Sequence, residues 1–132
     1  MISFKDLAPS KKTIKKSTKL FVGKTNFSFG STKVSVEDVS NIESLKNQLR
    51  EGQIILKGFT DNIGLIDINT YIARERAESV KNILVNLGVD SERISILSSP
   101  LSDYQNDNLN NNQRQQNRRV EIYVKTNRRI LL

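Results

Sequence analysis

The segment Gly58-Phe59-Thr60-Asp61-Asn62-Ile63-Gly64 puts a carboxylate among turn-forming residues at the end of the apolar run Ile54-Ile55-Leu56. Asn69, Ile72, Arg76, Val80, Ile83, Leu84 and Leu87 then recur at helical spacing. At about 100° per residue, Asn69 and Arg76 fall near the centre of the stripe formed by Ile72, Val80, Ile83 and Leu87. Arg74, Glu75, Glu78, Lys81 and Asn82 fall on the opposite side. A guanidinium turned toward a core is costly unless an anion meets it, and Asp61 is the nearest candidate. Charged side chains gathered in this way mark a site.

Arg118 repeats the anomaly. In Arg118-Arg119-Val120-Glu121-Ile122-Tyr123-Val124-Lys125 the alternation is clean. It places Val120, Ile122, Val124 and Arg118 on one face of a strand, and Arg119, Glu121, Tyr123 and Lys125 on the other. Two arginines near apolar faces and one obvious carboxylate leave positive charge in excess. A bound carboxylate or other anion would complete the balance. The competing reading for Arg118 is an element end from which the head group reaches water. Arg76 lies about two turns inside its helix, where that escape is harder.

These residues resemble the OmpA-like, peptidoglycan-associated domain shared by outer-membrane anchors, Pal-type lipoproteins and flagellar stator subunits. The likeness runs from about Phe27 to Lys125. It consists of Thr60-Asp61-Asn62-Ile63-Gly64, an Asn eight residues after that Asp (Asn69), the Arg76-Ala77 pair, and Asn117-Arg118-Arg119-Val120-Glu121-Ile122. Arg114 fits an Arg that often precedes the closing motif. The resemblance implies a module that holds the stem peptide of peptidoglycan through its diaminopimelate side chain, which ends in an amino acid zwitterion. By carry-over, Asp61 pairs with the ligand's ammonium and Arg76 takes its carboxylate in a forked contact. Asn69 orients the ligand or its neighbours, Arg118 supports the carboxylate side, and Thr60 with the Asn62–Gly64 backbone supplies further donors. No catalytic residue, metal or cofactor is implied.

The sequence departs from the family pattern in places. Ser98-Ser99-Pro100-Leu101-Ser102-Asp103 lacks the glycine usual after the third strand, Ile72-Ala73 replaces the usual Leu-Ser, and Asn106 to Asn117 is rich in Asn and Gln. The first departure bears on the pocket rim.

The elements that must position these residues are legible in outline. Leu20-Phe21-Val22 and Phe27-Ser28-Phe29 read as short strands separated by a Gly23–Asn26 turn. Ser35 with Asp38 three residues on reads as a helix start, followed by the stripe Val39, Ile42, Leu45 and Leu49 and a stop at Gly52. Glu37 and Asp38 in that first turn suit the helix dipole. Gln53–Phe59 reads as a buried strand, Asp67–Leu87 as a long helix ended by Gly88, Arg93–Leu97 as a third strand, and Arg118–Lys125 as the closing one. The Asn/Gln-rich stretch reads as a mobile loop with a more ordered second half. The expected fold is α+β and OmpA-C-like: a mixed parallel/antiparallel sheet with a βαβαβ core and helices packed on one face. The expected organisation is a basic polar arm over 1–18, an OmpA-like domain over 19–127 and a C-terminal tail over 128–132.

Composition narrows the function. The 132 residues suit one small domain with an aliphatic core, since only 6% are aromatic. There is no cysteine and no histidine, which removes disulfides, thiolate or imidazole metal sites and Ser-His or Cys-His catalysis. A glycosidase would need a carboxylate partner for Asp61, and none is evident. The net charge of +7 and the run Lys11-Lys12-Thr13-Ile14-Lys15-Lys16-Ser17-Thr18-Lys19 raise nucleic acid as a partner. No aromatic residue interleaves with that run, so an acidic cell-wall polymer, an anionic membrane, a partner protein or plain solvation fits it better. No stretch approaches the ~20 apolar residues that cross a bilayer, and the N-terminus lacks the apolar core of a secretory signal. The family resemblance points to the periplasm and cell envelope. An excised piece, another export route, or a phage-like or secretion particle assembled in the cytoplasm would each reconcile the two. The reading is a non-enzymatic module that anchors a larger protein or assembly to peptidoglycan. Its rival is a structural component of an envelope, injection or secretion assembly that keeps the fold without binding the wall.

Overall fold

The computed structural model describes residues 13–99 and 110–131. The first part of the basic arm, Pro100–Asp103 and residues 106–109 of the Asn/Gln-rich stretch lie outside them. Strand β1 spans Thr13–Asn26, helix α1 Val36–Ser44, strand β2 Gln53–Gly58 and helix α2 Ile66–Asn86. A 3-10 turn at Ser91–Arg93 leads into strand β3 at Ile94–Ser98, helix α3 covers Asn111–Asn117, and strand β4 covers Arg119–Leu131.

One mixed sheet carries the fold, in the order β1-β4-β2-β3. β4 runs antiparallel to both β1 and β2, while β2 and β3 are parallel and therefore need the α2 crossover between them. Period-two alternation decides which face is buried. Ile54 pairs with Val124, Leu56 with Ile122 and Gly58 with Val120, and these apolar residues form the core face. Against that face lie Ile42 of α1 and Ala77, Val80 and Leu84 of α2, with Phe27, Val34 and Leu49 from the connections. Fully burying a Leu, Ile or Val of this set stabilises by roughly 1.5–3 kcal/mol.

The helix signals act as expected. The Ser35 side chain accepts from the Asp38 amide at 3.1 Å, capping α1. α1 itself is short, and turns rather than helix carry Leu45 to Leu49. The Thr25 hydroxyl donates to Asp38, which ties β1 to α1. Gly58 decides how closely β2 approaches α2: a Cβ there would lie 2.1 Å from the Ala73 carbonyl oxygen. That contact sets the end of β2 one turn before Arg76.

Two expected short strands near the N-terminus are instead one long strand and a loop. Pairing of β1 runs from Thr13↔Leu131 to Asn26↔Arg119, with a bulge at Val22 between Phe21 and Gly23, and Gly23 pairs with Ile122 instead of opening a turn. Phe27 keeps one bond to the neighbouring strand, from its amide to the Arg118 carbonyl at 2.8 Å. The chain then turns, with the Ser31 amide on the Ser28 carbonyl at 3.0 Å, so Phe29 has no strand to pair with. The sheet also takes in residues 13–18 and 128–131, read from sequence as arm and tail.

Candidate functional site

The site forms where the β2–α2 turn, the loop after β1 and the junction of α3 with β4 converge. In the turn, Asp61 Oδ1 accepts from the Ile63 amide at 2.9 Å, an Asx-turn that fixes the carboxylate. Gly64 closes the turn with φ at 99°, in the left-handed region that favours glycine. Asn69 lies just beyond, one turn into α2, and is buried. Among the described residues its side-chain amide makes no hydrogen bond, although it lines the cleft.

Arg76 enters from α2 and is 1% exposed. Its Nε donates to the Ser31 carbonyl at 2.9 Å, Nη1 to the Phe59 carbonyl at 3.4 Å and Nη2 to the Ser28 carbonyl at 3.3 Å. The guanidinium carbon also stands 5.3 Å from the Phe27 ring centroid. Arg76 thus organises the loop after β1, helped by Ser79, whose hydroxyl donates to the Thr32 carbonyl at 2.6 Å. All three partners of Arg76 are neutral carbonyls.

The carboxylate goes to the other arginine. Arg118 Nη1 lies 2.6 Å from Asp61 Oδ2, with both side chains below 10% exposure. Arg118 Nε donates to the Phe27 carbonyl at 3.0 Å and Nη2 to Gln115 Oε1 at 2.6 Å. The expected meeting of Asp61 with Arg76 is therefore corrected: helix α3 and β4 deliver Arg118 to Asp61, and no described carboxylate pairs with Arg76. The electrostatic consequence falls on Arg76. Burial, and then the nearby positive charge of Arg118, lower its pKa from the ordinary guanidinium range to about 10, while Asp61 pulls it up. It stays charged at neutral pH and lacks a full counter-charge.

These groups share one cleft of about 130 Å³, lined by Thr60, Asp61, Asn69, Arg76 and Arg118 with Gly64 beside them. Phe29, Ile63, Ile68 and Ile72 give it an apolar rim. The volume is below the ~300–1,000 Å³ of a site that swallows a whole small molecule. It suits the end group of a longer ligand. Each guanidinium carries five N–H donors, of which three are used, so both retain donors for an anion. A larger groove of about 500 Å³ lies beside Thr18, Leu20, Arg50, Glu51 and Thr126, but its charged groups are exposed and it gathers no buried charge.

All five residues singled out in the sequence, Thr60, Asp61, Asn69, Arg76 and Arg118, line the cleft. Arg114 does not: it stays on α3 and donates to Asn111 Oδ1 at 2.6 Å. Sequence reasoning missed Phe29 and Ile68 on the rim and Gln115 behind Arg118. The i,i+3 spacing of Gln115 and Arg118 is the signal that would have found Gln115. Arg119 falls on the face opposite the core, as alternation predicts. It is nonetheless buried there, 3.8 Å from the Phe59 ring centroid and 3.0 Å from Glu121.

Known proteins are similar to this chain in sequence and in fold. Outer membrane protein A of Serratia odorifera is 32% identical over 125 residues, covering 82% of this chain and 51% of the relative. The chain thus spans about half the length of that relative. The peptidoglycan-associated lipoprotein of Burkholderia pseudomallei superposes with a TM-score of 0.72 at 24% identity, over 78% of this chain and 89% of that one. The cell wall anchor of the type VI secretion system (T6SS) of Pseudomonas aeruginosa gives a TM-score of 0.66 at 22% identity, over 85% and 86%. At such identities the structural likeness speaks for the fold. The sequence profile of the OmpA family matches residues 26–119, which hold every residue of the cleft, and the chain belongs to the OmpA family.

Proposed function

We propose that this chain is a non-catalytic module that binds peptidoglycan, with its cleft taking the zwitterionic end of a diaminopimelate side chain. One observation carries the reading: two buried arginines face a single carboxylate, and the arginine left without it lines an open cleft. A ligand carboxylate against the free N–H groups of Arg76 supplies the missing counter-charge, and the unpartnered amide of Asn69 orients it. The ligand's ammonium meets Asp61, whose oxygens each have one partner and retain acceptor capacity. The apolar rim accommodates the methylene chain that joins this end group to the stem peptide. The names of the structural relatives, a peptidoglycan-associated lipoprotein and a cell wall anchor, support the same class of ligand. On this reading the chain acts in the bacterial envelope and anchors a larger protein or assembly.

The competing role, a structural component that keeps the fold without the wall, draws on the closed Asp61–Arg118 pair and the three carbonyl bonds of Arg76. Calorimetric titration separates the two. A stem peptide ending in diaminopimelate binds saturably, while the same peptide with lysine, which lacks the second carboxylate, binds at least tenfold more weakly. Heat-silent titrations with both peptides, from a folded protein, would favour the structural role.

A further inference from the structure

Beyond Lys125, β4 leaves β2 behind and pairs with β1 alone, so residues 13–18 and 126–131 form a two-stranded ribbon projecting past the core. Three of its cross-strand pairs, counting the one at its base, put cation opposite cation: Lys15↔Arg129, Lys16↔Arg128 and Lys19↔Lys125. Like charges directly opposed destabilise a pair of strands, and an isolated two-stranded ribbon is marginal already. Lys16, Lys19 and Lys125 are exposed, and no described carboxylate forms an ion pair with any of them. Among the described residues the compensating contact is Lys19 Nζ, 4.5 Å from the Tyr123 ring centroid. Glu51, near the base of the ribbon in the groove lined by Thr18 and Thr126, has Arg50 beside it. Among the described residues no carboxylate cancels the positive field.

The apolar residues at the base of the ribbon identify what cancels it. Leu20 is 59% exposed and Phe21 48%, on opposite faces of β1, and the Phe21 ring packs edge-on against Tyr123 at 5.5 Å. Cations next to exposed aliphatic and aromatic side chains match the interface of a bilayer, where head groups meet acyl chains. A nucleic acid would use the cations and leave Leu20 and Phe21 in water. We propose that this ribbon docks on an anionic phospholipid surface, with Lys16, Lys19 and Lys125 at the head groups and Leu20 and Phe21 at the acyl boundary. The cleft around Asp61 contributes none of these residues, so the inference stands apart from the peptidoglycan reading.

The test is sedimentation of the full chain with phosphatidylcholine vesicles containing one-third phosphatidylglycerol, beside pure phosphatidylcholine vesicles, at about 0.1 M salt. The comparison protein carries Lys16→Gln, Lys19→Gln and Lys125→Gln together. Wild type partitions to the anionic vesicles only, and the triple variant binds them about a hundredfold more weakly, each basic residue near such a surface contributing about 1 kcal/mol. The variant's thermal midpoint is unchanged or raised, because like-charge opposition is relieved. Equal binding to both vesicle types, or undiminished binding by the folded triple variant, would overturn the proposal. A DNA duplex that displaces the protein from the vesicles at the same salt would assign the ribbon to nucleic acid and overturn it as well.

Discussion

Arg118 reaches across 57 positions of sequence to Asp61, with Nη1 2.6 Å from Oδ2. The same residue grips Phe27 twice, its carbonyl accepting from the Phe27 amide and its Nε donating to the Phe27 carbonyl. This one residue therefore joins the three segments that make the cleft, and its use of Asp61 leaves Arg76 as the unbalanced charge. The cleft's affinity for an anion follows from that division of labour.

Arg76→Lys tests the fork. Lysine keeps the charge but cannot present paired N–H groups at fixed geometry. Losing part of a charge-assisted contact costs about 1.5–3 kcal/mol, so affinity for the diaminopimelate peptide falls roughly tenfold to a hundredfold. Circular dichroism should show the fold retained, and calorimetry the weaker binding.

Asp61→Asn tests the pair. The amide oxygen can still accept from the Ile63 amide, so the turn survives, while two buried arginines lose the one described carboxylate of the cleft. Breaking one side of a buried pair typically costs about 3–5 kcal/mol. Exposure of the Arg118 edge to the cleft brings the expected loss toward the low end, read as a fall in the urea midpoint. Affinity for the zwitterionic ligand falls at the same time.

The lowered pKa of Arg76 has a pH signature. Its folded value of about 10 lies below the ordinary guanidinium range, so above pH 10 the unfolded chain holds the proton more firmly than the folded one. The cost of burying this charge is fully present below about pH 10 and is relieved as pH rises above it. The stability of wild type relative to Arg76→Gln should therefore increase between pH 10 and 11, with a slope of at most about 1.4 kcal/mol per pH unit. Urea unfolding of both proteins across that range checks the sign, because the other lysines and tyrosines cancel in the difference.

Gly58→Ala tests how the site is positioned. The added methyl would lie 2.1 Å from the Ala73 carbonyl oxygen, backbone against backbone. Strand and helix must separate, at a cost of about 1–3 kcal/mol for overpacking. Thermal denaturation should show the loss, and peptide binding should weaken although no cleft side chain has changed.

Periodicity made much of this architecture readable. The stripe through Ile72, Val80, Ile83 and Leu87 placed Asn69 and Arg76 inward, and the alternation in β4 sorted Val120, Ile122 and Val124 from Glu121 and Tyr123. Those signals are local. The partner of Asp61 was not, since ion pairing between Asp61 and residue 118 depends on how α3 meets β4, and both arginines sat on inward faces. β1 escaped because Thr13–Lys19 has a single apolar residue, Ile14, and so no alternation, and its strand character comes from pairing with β4. Phe27-Ser28-Phe29 has the alternation of a strand but lies beyond Asn26↔Arg119, where the pairing of β1 with β4 ends. The cleft's rim was hidden for a related reason: Phe29 and Ile68 come from different elements and meet only in three dimensions.

The most direct test is an amide-shift titration of the labelled protein with a diaminopimelate-containing stem peptide, beside Arg76→Lys and Asn69→Ala. The account predicts saturable shifts concentrated at Thr60–Gly64, Asn69, Arg76 and Phe29, weakened in both variants while their unliganded spectra stay folded. Unmoved amides at millimolar peptide, or shifts that both variants leave intact, would contradict it.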